Sequence, residues 1–127
     1  MAGNLSDYLE DKLLDHFLGT TSYTMPSSIY VALYTVAPSD AGGGTEVTGG
    51  SYARQSASFD AASSGATQNS ANIDFADMPA CTVVAIGVHD ASTGGNLLVH
   101  GTLTVNKTLD AGDTLRIATG DLDISIN

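Results

Sequence analysis

Apolar residues recur along this chain at two different periods. From Leu5 to Leu18 the period is helical. Leu5, Leu9, Leu13 and Phe17 fall four apart, and Leu14 and Leu18 widen the stripe. Asp7, Glu10, Asp11 and Asp15 lie on the other faces. Asn4 or Ser6 is placed to cap the N-terminus, and the acids crowd the first turns, where the helix dipole favours them. His16 stands near the C-terminal end and Gly19 at the position that favours a left-handed stop. The spacing predicts one amphipathic helix over residues 5–18. A helix that short is marginal alone in water, so its stripe must bury against its own sheet or an adjacent subunit.

After Pro26 the period drops to two. In "SSIYVALYTV" Ile29, Val31 and Leu33 share one face, and Tyr30, Ala32, Tyr34 and Val36 the other. Both faces are apolar, as in a central strand covered on both sides. "CTVVAIGVHD" reads the same way, with Val84, Ile86 and Val88 set against Val83, Ala85 and His89, and with Gly87 marking a bulge or a close backbone approach. "SYARQSASF", "ANIDFAD", "TLRIA" and "LDISI" are weaker, half-exposed strands, and "LLVHGTLTV" pairs with "CTVVAIGVHD" across the "ASTGGN" turn. "NKTLDAGD" reads as a turn, and residues 37–50 and 60–70 read as long polar loops. No interval is long and periodic enough for a second helix. The pattern predicts an all-β protein: one domain spanning 1–127, with the helix at 5–18. An antiparallel sandwich or jelly roll of seven or eight strands would fill 27–127.

Composition narrows the function classes. Charged residues are 14% of the chain, against about 25% in an average globular protein. Ser, Thr, Asn, Gly and Ala must therefore cover the surface, which suits close contact with other proteins. The net charge is −10, and the cations Lys12, Arg54, Lys107 and Arg116 are scattered singly. Nucleic-acid binding needs clustered cations, and an acidic chain is repelled by anionic membranes, so neither partner is expected. The apolar runs fall well short of a membrane span, and the N-terminus lacks the basic and apolar regions of a secretory signal, so a cytoplasmic place of synthesis is expected. Cys81, the single cysteine, sits in an apolar run and reads as a small buried hydrophobe.

The residues that carry chemistry form no catalytic constellation. His89 and His100 flank one hairpin and read as polar residues on its exposed side rather than as half of a metal site. Asp110 and Asp113 read as turn residues, and Asp121 and Asp123 as a solvated strand face, with calcium binding by this set left open. "GGGTEVTGG" lacks the lysine and the helix of a phosphate loop, and no G-x-S-x-G elbow occurs. No catalytic residue, metal or cofactor is therefore expected, and the chain reads as a non-enzyme. The candidate interface residues are Leu5, Leu9, Leu13 and Phe17 on the helix, Gly43 and Gly44 in the glycine-rich loop, and Tyr52 just after it.

The order of three segments carries a resemblance. They are "LSDYLEDKLLDHFLGTTSYTMPSSIYVALYT", "APSDAGGGTEVTGGSYARQ" and "IGVHDASTGGNLLVHGTLTVNKTLDAGDTLRIATGDLDISI". Together they resemble a family of small structural proteins of tailed-bacteriophage virions, whose members often carry the label tail fibre protein. Similar small β-proteins decorate, or cement, icosahedral heads. The resemblance implies a virion-surface protein assembled in the host cytoplasm, with a trimer as the expected homo-oligomer. It implies, first, a head decoration protein that stabilises the major capsid protein lattice. The alternative it implies is a tail fibre or baseplate component involved in host attachment.

Overall fold

The computed structural model describes the backbone of residues 2–126 and the side chains of residues 4–126. Strand β1 (Ala2–Leu5) leads into helix α1 (Asp7–Phe17). The remaining strands are β2 (Ile29–Val36), β3 (Thr45–Glu46), β4 (Gln55–Ala57), β5 (Ala66–Gln68), β6 (Ile73–Phe75), β7 (Cys81–His89), β8 (Leu97–Leu109), β9 (Leu115–Ile117) and β10 (Asp123–Ser125). The all-β class with one N-terminal helix is as the pattern predicts.

The two runs that are apolar on both faces, β2 and β7, lie side by side at the centre of the main sheet, with β8 next to β7. The order across that sheet is β3-β2-β7-β8-β1-β10-β5, and β4 pairs with the first half of β2. The pairings are antiparallel except for β1 with β10. A two-stranded ribbon of β6 and β9 forms the second layer. Its inward residues Ile73, Phe75, Leu115 and Ile117 join Val31, Leu33, Ile86 and Val99 in the main core. One fully buried polar side chain, Asn69, ties the layers together. Its amide donates to the carbonyls of Ala71 (2.9 Å) and Ala118 (3.0 Å) and accepts from the N–H groups of Gly120 (3.1 Å) and Leu122 (2.9 Å). Every hydrogen-bonding position of that amide is used, which is the condition for burying it without a large penalty.

Several sequence expectations need correction. The helix starts at Asp7, not at residue 5, because Ser6 is extended and caps it by accepting from the Leu9 N–H at 3.2 Å. Leu5 belongs to β1 and pairs with Val99. The helix ends at Phe17, one residue short of the expected Leu18, which caps it, and Gly19 takes φ +82° just beyond. A bulge between Val83 and Ala85 reverses the β7 faces at one end, so that Val83, not Val84, joins Ile86 and Val88 in the core. Residues 106–109 extend β8 rather than turning, since Lys107–Leu109 pair with Cys81–Val83. The loops expected at 37–50 and 60–70 contain the short strands β3 and β5. Ten strands result among the described residues, where seven or eight were expected. Cys81 is half-buried at the core edge. Leu122 is buried, whereas Ile126 is largely exposed.

Candidate functional site

The face of the central sheet opposite the main core is built differently. Its small residues Ala32 and Ala85 are fully buried, with Tyr34 beside them. Gly87 completes this face. A Cβ there would stand 2.8 Å from the Tyr34 ring, 2.9 Å from the Leu97 side chain and 3.3 Å from His89 Nε2. The missing side chain leaves room for Tyr34 and His89 to meet, and the Tyr34 hydroxyl and His89 Nε2 share a 2.8 Å hydrogen bond. His89 and His100 are 5% and 9% exposed, so the expectation of an exposed histidine pair is corrected. They do not face each other either: His100 pairs with Gly87, and His89 with Leu97. His89 Nδ1 is buried with no hydrogen-bond partner among the described residues. Burial, then the nearby Arg54 charge, pushes the His89 pKa down to about 4, so the ring is neutral at pH 7.

Arg54 organises the neighbouring loops. Its guanidinium grips the Glu46 carboxylate through Nε (3.0 Å) and Nη2 (2.9 Å). Its Nη1 donates to the carbonyls of Ala91 (3.0 Å) and Gly94 (2.9 Å). Tyr52 adds a third contact to Glu46, donating its hydroxyl at 2.7 Å, while the same oxygen accepts the Leu33 N–H at 3.0 Å. Burial raises the Glu46 pKa, but the hydrogen bonds from Arg54 and Tyr52 outweigh it and hold the carboxyl below its ordinary value. The hairpin tip is pinned a second time, because Asp90 accepts from both the backbone and the side-chain amide of Asn96 (2.7 and 2.9 Å). Sequence reasoning missed this cluster. Arg54 read as one of four scattered cations, and no spacing rule links Glu46 and Arg54 across a loop.

These groups wall a cleft of about 460 Å³ between the start of α1, the 40–43 loop, Tyr34, Arg54, His89 and the 94–97 turn. Ser6 anchors the helix there, donating its backbone N–H to Leu98 O (2.8 Å) and its hydroxyl to Leu97 O. The Asp7 N–H donates to Asp40 O (2.9 Å), and Asp40 Oδ1 contacts His100 Nε2 at 2.7 Å. At the cleft's edge the exposed carboxylates of Asp7, Glu10 and Asp40 lie within 4.8 Å of one another. Two of the three sit in the first turn of α1, where the helix N-terminus already favours negative charge. The aspartates first considered for calcium are placed elsewhere. Asp113 Oδ2 accepts the Asp110 N–H at 2.8 Å, which is turn chemistry, and Asp123 lies in β10.

The candidate interface residues separate into three groups. Leu5 and Leu9 are half-buried against the chain's own core, with Tyr8 beside them. Leu13 is half-buried and Phe17 is 67% exposed, continuing into the exposed Leu14 and Leu18. Gly43 and Gly44 both take positive φ, and a Cβ at Gly44 would lie 2.6 Å from the Val36 carbonyl oxygen, so that glycine fixes the loop's path. Tyr52 is half-buried, stacked on Phe75 with ring centroids 6.2 Å apart.

A family model matches most of the chain. The model of the family described as Podophage GP4 fiber I protein gp80 matches residues 4–125. No curated protein matches the chain.

Proposed function

The chain belongs to this podophage fibre family, a family of bacteriophage virion structural proteins, and from that premise we propose that it is a self-associating subunit of a tail fibre. The observation that carries the proposal is the extent of the match. It runs from β1 to β10 and takes in the helix, both sheets and the cleft loops. The family's description names a fibre, which favours this reading over the head decoration that the sequence resemblance put first. A structural family suggests a non-catalytic role.

Self-association is supported by the helix. Leu14, Phe17 and Leu18 are 50%, 67% and 70% exposed, although they lie on the stripe expected to bury. An apolar patch left open on one copy is an interaction surface. The patch is flanked by Asp11 and Asp15 on a chain that is otherwise poor in charge, at 14% charged residues. A homotrimer is the assembly proposed. Contact with the host receptor is assigned to the cleft end, where the 40–43 and 94–97 loops converge on a rigid frame held by Arg54.

Copy number and position test the proposal. Quantitative mass spectrometry of purified particles should give a handful of copies per particle, and gold-labelled antibody should mark the tail. Hundreds of copies spread over the head would replace the fibre reading with a capsid-cementing role.

A further inference from the structure

We infer that the exposed end of α1 inserts into a groove on a second copy of the same chain, making a head-to-tail contact rather than a symmetric one. The inference rests on the self-association part of the proposed function, not on where the protein sits in the particle.

The groove lies between the outer half of β8 and β9 and has a volume of about 350 Å³. Leu33, Ile86, Leu115 and Ile117 form its floor, so it opens directly onto the main core. Lys107 and Arg116 stand on its lining. An amphipathic helix laid into an apolar groove is a recurring recognition mode, and its anchors fall at i, i+3 and i+4. Leu14, Phe17 and Leu18 have that spacing. The chain's own helix does not fill the groove. It is held through Ser6 at Leu97 and Leu98, the opposite end of β8, and its three anchors remain exposed.

Charge selects a second copy and sets the orientation. The chain has four Lys and Arg residues. Lys12 is on α1 itself and Arg54 is committed to Glu46, so the other two cations are the pair at the groove. Arg116 is shared with Asp74, at 2.7 and 3.0 Å, and Asp121 also lines the groove. Lys107 makes no ion pair among the described residues. On the helix, Asp11 and Asp15 lie one turn apart, each three residues before an anchor, Leu14 and Leu18. An acidic edge beside apolar anchors thus meets an apolar floor with cations at its side. In the symmetric alternative, helix against helix through the same anchors, Asp11 and Asp15 beside them would approach their own copies, and like charges placed together oppose association. A contact between two different patches closes into a ring or continues as a filament, and either result suits a fibre subunit.

Sedimentation velocity on the purified full-length chain tests this with two variants, Phe17→Ser on the helix and Lys107→Glu at the groove. Both positions are exposed, so each variant should keep the wild-type far-UV circular dichroism even where loss of assembly lowers its melting temperature; if F17S loses that spectrum, Leu18→Ser takes its place. Wild type should assemble, and each variant alone should dissociate about tenfold more readily or further. Mixed in equal amounts, the two should form a one-to-one dimer, because F17S keeps an intact groove and K107E an intact helix. Three results would overturn the inference. K107E assembling like wild type points to a helix-to-helix contact and leaves self-association standing. A mixture with no dimer removes the head-to-tail pairing. A monomeric wild type removes self-association as well, while the position of the protein in the particle is still read separately by antibody labelling.

Discussion

The two faces of the β2–β7–β8 sheet are equally buried, and different chemistry closes each of them. One face packs Val31, Leu33, Ile86 and Val88 against Phe75 and Leu115 and needs nothing but shape and the exclusion of water. The other covers Ala32, Ala85 and Gly87 with Tyr34 and His89, and is closed by hydrogen bonds and by loops held on Arg54. The apolar face holds the sheet and ribbon together. The polar face fixes the cleft loops, and it does so with groups whose charge depends on pH. The comparison assigns stability chiefly to the first face and cleft geometry to the second.

The largest effect should come from the apolar face. Phe75 is 1% exposed and sits at the centre of the ribbon contact. Phe75→Ala should lower the unfolding free energy by about 3–5 kcal/mol, measured by urea denaturation. A loss below about 1 kcal/mol would show that the ribbon is not the second layer of the core.

The next effect belongs to the polar face and to acid. The His89 pKa is lowered to about 4 in the folded chain from an ordinary 6.5. The folded state therefore favours the neutral ring. That contribution is complete above pH 6.5 and is lost as the pH falls toward 4, and it should amount to roughly 2–3 kcal/mol. Glu46, also lowered, acts with the same sign: its contribution holds above its ordinary value and fades at lower pH. His89→Gln should flatten the stability curve between pH 6.5 and 4 and leave the steeper acid limb below it. An unchanged slope in that window would remove His89 as the group responsible.

The smallest effect tests how the polar face is packed. Gly87→Ala should cost about 1–2 kcal/mol, in the lower part of the range for overpacking, because the atoms met first are side-chain ends rather than backbone. It should also displace Tyr34 from His89, visible as a change in the His89 ring resonances. A variant as stable as wild type, with those resonances unmoved, would mean that this face has slack and that the glycine is not what lets the two rings meet.

Much of the fold was legible because single segments carried their own signal. The four-residue spacing of Leu9, Leu13 and Phe17 announces a helix, and alternation on two apolar faces announces β2 and β7. What escaped was structure that exists only through its partner. Thr45–Glu46 and Ala66–Gln68 are polar and short, and they are strands because β2 and β10 offer them hydrogen bonds. The bulge that turns Val83 inward is set by the pairing of β7 with β8, which no local pattern encodes. The cleft failed to appear for the same reason. Glu46, Arg54, Ala91 and Gly94 meet only after the loops close, and an arginine bound to carbonyls leaves no spacing to read. The helix stripe was visible, but whether it would bury within the chain was not. Leu5 and Leu9 pack inward and Phe17 does not, although all three obey one period.

The parallel pairing of β1 with β10 has a consequence for how the chain is made. Ala2 lies beside Asp123, and Gly3 beside Ile124, so the middle link of the path from β8 through β1 and β10 to β5 joins residues more than a hundred positions apart in sequence. A ribosome delivers β1 more than a hundred residues before β10. The β2–β7–β8 centre has all its residues by Leu109, but β5 has no neighbour on the main sheet until Ser125 emerges. That flank must therefore form after translation of β10, and its pairing carries the entropy cost of closing a long loop.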